Sequence, residues 1–313
     1  MNKQFLVPAA LAVLGLAALP ATSFAEVRAS DLPGNTVWYL HADLKAMRES
    51  DGGSPVWDWF EGEVVVDVRE EVGIDIGEEV DRITAFSDND EGTVIVVEGP
   101  MTKASRDKLL ALAAQQGPVD PREHRDRPYY FFGDEDEIDN AAGEPLEDLE
   151  DALFLSFAVD GKALITGTEA QMRALLDNDG RIAGSGSHDG ALLVLSANKP
   201  LVQAGMHKDG MTDPDDEDDW ESKIISNTEQ GALLVADESG QLAIQAQLVS
   251  TDPKMAEAIG GIVNGLIALQ AFNPDLGPEL QSLIQNTKVR VDANNLSINM
   301  VVDPKLLVTV LDD

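Results

Sequence analysis

The chain has 313 residues, of which 57 are acidic and 22 are basic, so its formal net charge is −35 at pH 7. The absence of cysteine excludes disulfides, thiolate chemistry and any zinc site built on sulfur. A charge of this sign and size also disfavours nucleic acid and anionic membranes as partners.

The first 25 residues have the three parts of a bacterial secretory signal peptide. A polar tip with Lys3 precedes an apolar run over 5–19, and Ser23 and Ala25 lie at −3 and −1 of a cleavage point before Glu26. The run is short for a membrane span and no basic stop-transfer follows, which favours cleavage over an uncleaved anchor. There is no lipobox cysteine, and no later stretch has the length of a membrane span. We therefore expect a periplasmic or secreted mature protein.

Residues 26–180 are predicted to form a first α+β repeat, which includes a helix over 54–72. Ser54 can cap this helix and Pro55 suits its first turn. The β-branched run 64–66 favours a strand instead, but a long apolar ladder at every fourth position favours a helix. The ladder consists of Val56, Phe60, Val64, Val68 and Val72.

Two later stretches of this repeat each predict a hairpin followed by a helix. Residues 85–110 contain a strand, an acidic turn with a glycine, a second strand and a helical pattern. Residues 153–178 have the same order, with the turn at Asp160 and Gly161. Both residue types tolerate the positive φ that a two-residue hairpin turn requires.

Two further segments punctuate the chain. An insert at 117–151 separates the two hairpins of the first repeat and contains arginines, the aromatic run 129–132 and a strongly acidic end. The segment 181–190 is rich in Gly and Ser, which predicts a flexible linker to the second repeat.

Residues 191–313 are predicted to form a second α+β repeat with the same element order. Hairpin-and-helix patterns recur at 234–259 and at 287–313, the latter turning at Asn294 and Asn295. Both repeats follow β-α-β-β-α-β-β-α, which predicts an internal duplication. Strands joined by two-residue turns are antiparallel, so we expect an α+β fold with antiparallel sheets and helices packed on one face.

The apolar helix predicted over 252–272 carries Gly261 and Gly265 at a spacing typical of close packing. Its apolar run, 259–269, is too short to span a bilayer. We interpret it as a buried helix whose glycines allow close approach to the sheet. A homodimer contact is the alternative.

The most acidic stretch, 212–221, raises the question of a cation site. Asp213, Asp215 and Asp218 are the candidate metal ligands, but they are weak ones. An EF-hand loop that starts at Asp213 would need Gly at position 6 and Glu at position 12, where this chain has Asp218 and Ile224. We therefore predict an exposed acidic loop and no metal site or cofactor.

Short catalytic motifs occur without the context that they need. Ser196 and Lys199 match S-x-x-K and Ser87 begins S-D-N, but K-T-G is absent and the order is reversed. His41, with Asp43 two residues on, could form a dyad, although a histidine at a strand end more often has a local structural partner. These patterns do not predict a catalytic residue.

Taken together, the patterns predict an exported, highly acidic, non-catalytic binding or scaffolding protein of the bacterial cell envelope. Acids spread along the whole chain indicate adaptation to salt, which screens their repulsion. The expected partner is an envelope protein or a glycan. Two alternatives stay open: a hydrolase with carboxylate or carboxylate–metal chemistry between the repeats, and a surface that binds divalent cations weakly.

Overall fold

A computed structural model describes residues 33, 36–71, 73–88, 92–115, 118–133, 152–182, 188, 190–199, 226–271 and 277–311. The predicted signal peptide, the acidic stretch 212–221 and the acidic end of the 117–151 insert lie outside these residues. Within them, no helix is long and apolar enough to cross a membrane.

The first half of the chain contains seven strands and six helices in the described residues. In chain order they are β1 (Thr36–Asp43), α1 (Leu44–Glu49), α2 (Ser54–Phe60), a π-helical turn (Glu61–Val65), α3 (Val66–Glu71), α4 (Ile76–Glu79), β2 (Arg82–Asp88), β3 (Gly92–Glu98), α5 (Lys103–Ala113), β4 (Val119–His124), β5 (Arg127–Gly133), β6 (Ala152–Ser156), β7 (Lys162–Thr166) and α6 (Glu169–Asp177).

The second half contains five strands and three helices in the described residues. They are β8 (Ala191–Asn198), β9 (Thr228–Glu238), β10 (Gln241–Ser250), α7 (Pro253–Ala271), α8 (Pro278–Asn286), β11 (Lys288–Asp292), β12 (Asn295–Val302) and α9 (Pro304–Leu311).

All twelve strands belong to one antiparallel sheet, which makes the fold α+β. The strand order is β11-β12-β10-β9-β8-β1-β2-β3-β7-β6-β5-β4. Strand β1 lies at the seam between the two halves, because it pairs with β2 on one side and with β8 on the other. The hairpin of β4 and β5 comes from the predicted 117–151 insert and extends the sheet at one end.

The sheet carries apolar side chains on both faces, and each face contributes to the core. We call the side with Tyr39 and His41 the front face and the side with Leu40 and Ala42 the back face, since successive strand residues point to opposite sides. Helix α6 buries Met172 against a front-face cluster. That cluster also includes Tyr39, Phe86, Val94, Phe154, Leu164 and Val194.

Helices α1 to α4 cover the back face of β1, β2 and β8, where Trp57 and Val65 pack with Ala42. Helix α5 covers the same face farther along, beside Phe132 and Leu155. The prediction that helices pack on one face is therefore wrong, because α6 lies on the front. The apolar front face of β1 to β7 needs a cover of its own.

The helix predicted over 54–72 is confirmed as a nearly continuous helical segment through α3. Its first residue is Ser54 with Gly53 as the N-cap, so Ser54 does not cap it. The π-helical turn inserts one residue into the helical period. As a consequence, Trp57 and Val65 are the buried residues, and the predicted ladder residues Phe60 and Val64 are half-buried beside them.

All four predicted hairpins form, but the two turns that were predicted by residue differ from the prediction. Asp292 pairs with Asn295, so the two turn residues are Ala293 and Asn294, with Ala293 at a φ of 51°. In the other hairpin, Asp160 and Gly161 end a longer connection between β6 and β7. Gly161 has a φ of 68°, as the turn chemistry required.

Helix α7 is only partly buried, contrary to prediction. Ala256 and Ile259 face the core, and an added Cβ at Gly260 would lie 2.5 Å from Val291 on the back face. Among the described residues outside the helix backbone, an added Cβ at the predicted packing glycines Gly261 and Gly265 would meet no atom within 4 Å. The outer side carries a half-exposed apolar stripe of Ile262, Leu266 and Leu269. A homodimer contact through this helix stays a prediction.

The two halves share a strand order but differ in their closing helices. The first half runs β1-β2-β3-β7-β6 from the seam outward, and the second runs β8-β9-β10-β12-β11. Helix α6 packs on the front face, whereas α9 contacts α2 of the other half. The strand arrangement is thus alike while the helix packing is not.

Candidate functional site

Two rows of polar side chains cross the front face of β10, β12 and β11. In one row Gln245 pairs with Asn299, which pairs with Lys288. In the adjacent row Gln247 pairs with Ser297, which pairs with Arg290. Residues directly opposite each other in antiparallel strands share a face, so all six side chains lie on one side of the sheet. We call these six residues the amide tract.

The amide tract runs from an exposed edge to a buried interior. Lys288 and Arg290, on the outermost strand β11, are exposed. Asn299 and Gln247 are half-buried, and Gln245 is only 4% exposed. Exposure therefore decreases from the β11 edge, where the two cations lie, towards Gln245.

Three carbonyl oxygens of the amide tract are buried and lack a hydrogen-bond partner among the described residues. They are Gln245 Oε1, Gln247 Oε1 and Asn299 Oδ1. A buried acceptor without a partner costs about 1–3 kcal/mol, and native proteins contain few such groups. Three such acceptors on neighbouring positions of one face make this patch a candidate for binding a group that donates hydrogen bonds.

Helix α7 does not close the tract, because it lies on the other side of the sheet. Its Gly260 approaches Val291 and Leu296. These residues alternate with Arg290 and Ser297 along their strands and so point to the back face. Two buried apolar residues, Leu234 and Ala243, adjoin the tract on the front face.

A second cluster lies at the seam, where His41 and Tyr39 share the front face. His41 Nδ1 lies 2.9 Å from Thr84 Oγ1, and His188 Nε2 lies 2.8 Å from the Tyr39 hydroxyl. The two imidazole rings are 5.1 Å apart. Burial, reinforced by the charge of His188, lowers the pKa of His41 to about 4, so its ring is neutral at pH 7.

The conceivable dyad of His41 and Asp43 does not form. Asp43 Oδ1 accepts from the Ala46 backbone N–H as an N-cap, and Asp43 Oδ2 pairs with Arg82 Nε at 2.8 Å. His41 instead contacts Thr84. The carboxylate is thus held by a helix terminus and an arginine, and the histidine lies in a structural hydrogen bond.

The two serines of the short motifs lie on opposite faces of the sheet. Ser87 pairs with Trp38 and Ser196 pairs with Tyr39, so their side chains point to the back and the front. Ser196 Oγ accepts from Gln230 Nε2 at 2.8 Å. The motifs therefore do not share a site.

The candidate ligands Asp213, Asp215 and Asp218 lie outside the described residues. Among the residues that the structure describes, no group of three or more His, Cys, Asp or Glu side chains is placed to hold a metal ion.

A shallow cavity of about 180 Å³ lies between α6 and the ends of β2 and β3. Its floor is apolar, with Phe86 and Leu175, and its rim carries Asp88, Gln171 and Arg181. Gln171 already donates to the Gly92 carbonyl at 3.1 Å. This cavity is small and open, and its amide is satisfied, which distinguishes it from the amide tract.

Sequence reasoning missed the amide tract. The alternation of Gln245 and Gln247 with apolar residues in β10 predicts a strand with one polar face. Such a face is normally solvated, and nothing in the pattern indicates that Gln245 is buried. The pairing of β10 with β12, which brings in Asn299, follows from topology and not from local sequence.

The sequence matches no family model and no curated protein. Among solved structures it is similar to three crystal forms of TP0453. Form III has a TM-score of 0.47 at 11% identity, over 92% of this chain and 98% of that chain. Form IV has a TM-score of 0.45 at 10% identity, over 91% and 95%. Form I has a TM-score of 0.43 at 11% identity, over 92% and 97%.

Proposed function

We propose that this chain is an exported, acidic, non-catalytic binding protein of the bacterial cell envelope, adapted to salt. Its binding site is the amide tract on the front face of β10, β12 and β11. The observation that carries this proposal is Gln245, which is 4% exposed and has an unpartnered Oε1 among the described residues. A ligand that donates hydrogen bonds would satisfy it.

The chemistry of the tract favours binding over catalysis. Neutral amides accept and donate hydrogen bonds, but they neither take up protons near pH 7 nor act as nucleophiles. The buried histidine at the seam is neutral and bonded to Thr84, on a different part of the front face. The tract therefore supports recognition of a ligand without conversion of it.

The same proposal includes the origin of the two halves by duplication. The matching strand orders on either side of the seam support it. Only the second half carries the amide tract, because β7 has Leu164 and Thr166 where it lies beside β3. In this view, one copy kept an apolar front face and the other gained a binding function.

Binding by the mature protein can be tested with a panel of envelope glycans and peptides, read by melting temperature and then by calorimetry. We expect at least one class to bind wild type and to bind the Gln245→Leu variant at least about tenfold more weakly. The matched control is Gln241→Leu, an exposed position on the same strand. Equal binding by both variants would contradict the tract as the site.

Export can be tested separately by expressing the full chain with a C-terminal tag in a Gram-negative host. Cleavage by signal peptidase should give a periplasmic protein whose first residue is Glu26. Replacing Ala25 with a bulky residue, as in Ala25→Tyr, should leave the precursor uncleaved. N-terminal sequencing that begins at Met1 for wild type would overturn the export proposal.

A further inference from the structure

We propose that the ligand of the amide tract is a sugar acid, a hydroxyl-rich ring that carries a carboxylate, as in a uronic-acid unit of a glycan. This inference rests on the proposed binding function and adds the class of ligand. It follows from the two kinds of group in the tract, which call for two kinds of group in the ligand.

The inner part of the tract needs donors. Gln245 Oε1, Gln247 Oε1 and Asn299 Oδ1 are buried acceptors without a partner among the described residues. Gln245 and Asn299 are direct cross-strand neighbours, and Gln247 is two residues along the same face, about 7 Å away. Neighbouring hydroxyls of one sugar ring supply several donors within such a patch.

The outer part of the tract needs an anion. Lys288 and Arg290 are exposed and lie on the same face as the amides, one at the end of each row. Arginine binds a carboxylate with two parallel hydrogen bonds. Asp292 follows on the same face of β11, so this edge carries a local excess of one positive charge in a chain with a net charge of −35. This excess selects for an anionic ligand at this one edge.

A peptide fits the tract less well than a sugar acid does. In an extended peptide, the backbone N–H groups that point to one side come from every second residue. Each of these residues also has a carbonyl that needs a donor of its own. Such a peptide would add to the sheet by pairing with the edge strand β11, which uses backbone groups and leaves the amides unsatisfied. The cluster of acceptors on the sheet face favours a compact ring.

The experiment uses the mature chain and three chemically matched probes in calorimetry at low salt. The first is tri-galacturonic acid, the second is its methyl ester, which keeps the hydroxyls and loses the charge, and the third is tricarballylate, which keeps carboxylates and lacks hydroxyls. We expect the free acid to bind at least about tenfold more tightly than either of the others.

Two variants test which residues bind the hydroxyls of the ligand and which bind its carboxylate. Gln245→Leu should weaken the acid and the ester alike, whereas Arg290→Gln should weaken only the acid, each by about tenfold. Gln241→Leu and Arg181→Gln, exposed positions away from the tract, are the matched controls and should change neither. Melting temperatures of all variants establish that they are folded.

The possible results separate the sugar-acid inference from the proposed binding function. If the ester binds as tightly as the acid, or tricarballylate does, the ligand is not a sugar acid, and binding at the tract stands only if Gln245→Leu weakens it. If none of the three probes binds but another panel member does so in a Gln245-dependent way, the sugar-acid inference fails alone. If no probe and no panel member depends on Gln245, the proposed function fails as well.

Discussion

His41 illustrates how a single side chain couples this fold to pH. Burial and the neighbouring His188 lower the pKa of His41 to about 4 in the folded protein, from 6.5 for an unperturbed histidine. The nearby charges of Asp43, Arg82 and Glu98 modify this shift to a lesser extent. The unfolded chain therefore binds a proton more readily than the folded chain between these two values.

We expect the stability contributed by neutral His41 to be complete above pH 6.5 and to be lost as pH falls towards 4. After a discount for the partly exposed ring, the loss is about 1–2 kcal/mol. Urea unfolding of wild type and of His41→Gln at pH 7, 5.5 and 4.5 measures it, since Gln can keep the bond to Thr84. The variant should have the shallower pH dependence. His124→Gln, on the edge hairpin, is the control, and an equal effect there would contradict the assignment.

Replacing Gln245 should have the opposite effect on stability to replacing an ordinary buried polar residue. Replacing a buried hydrogen-bonded side chain usually destabilises a protein, but an unpartnered one already costs about 1–3 kcal/mol. We therefore expect Gln245→Leu to raise the free energy of unfolding of the ligand-free protein by about 1 kcal/mol. Thermal unfolding without ligand measures it, and a clear loss of stability would show that Oε1 has a partner.

At the scale of one element, helix α7 contains a pair of adjacent glycines with different surroundings. A Cβ at Gly260 would meet Val291 Cγ2 at 2.5 Å, and valine is stiff at χ1 and cannot easily turn away. A Cβ at Gly261 would meet no described residue within 4 Å apart from the helix's own backbone. Close approach to the sheet thus belongs to one glycine and not to its neighbour.

We expect Gly261→Ala to stabilise the protein by about 1 kcal/mol through helix propensity alone. Gly260→Ala gains the same propensity but overpacks against the sheet, so a net loss of about 1 kcal/mol is expected. Each variant is the other's control in chemical denaturation. Equal shifts of the same sign would contradict the packing of α7 on Val291.

The elements themselves were largely predictable, because hairpins and helices depend on local patterns. The strands of β2, β3, β6, β7, β9 and β10 and the helical segment from Ser54 are examples. The set of buried residues in that segment was not predictable, because a π-helical turn has no clear signature in sequence. The observed turn, at Ala293 and Asn294, lies one residue before the predicted turn. Ala293 adopts a φ of 51°, which is not expected for alanine.

Placement of helices on both faces could have been inferred from one stretch. Strand β3 contains the unbroken apolar run 94–97, which is typical of a strand covered on both sides. By contrast, local sequence patterns do not predict which strands pair with one another in the sheet. The pairing of β1 with β8 joins residues from the two halves that no turn connects.

At the scale of the whole molecule, the net charge of −35 should make stability depend on salt. Repulsion between carboxylates destabilises the compact state and is screened at high ionic strength, where the Debye length is about 3 Å at 1 M. We expect the melting temperature of the mature chain to rise steadily between low salt and molar KCl. A flat or falling profile would contradict salt adaptation.

The acidic stretch provides a sharper version of the same test. Replacing Asp215, Asp216, Asp218 and Asp219 with Asn should raise the melting temperature in low salt and change it little in molar salt. Micromolar calcium should shift neither protein more than a monovalent salt of equal ionic strength. A rise specific to calcium that vanishes in the variant would instead identify a true metal site.

The position of β1 at the seam affects how the chain can be assembled. One edge of β1 pairs with β2 soon after both are synthesised, but the other edge stays unpaired until β8 is available. An open strand edge accepts any matching strand, including the β8 of another molecule. Two chains could then exchange their second halves across the seam and reproduce every contact of the monomer. Synthesis rate and protein concentration would therefore decide between one closed chain and a swapped pair.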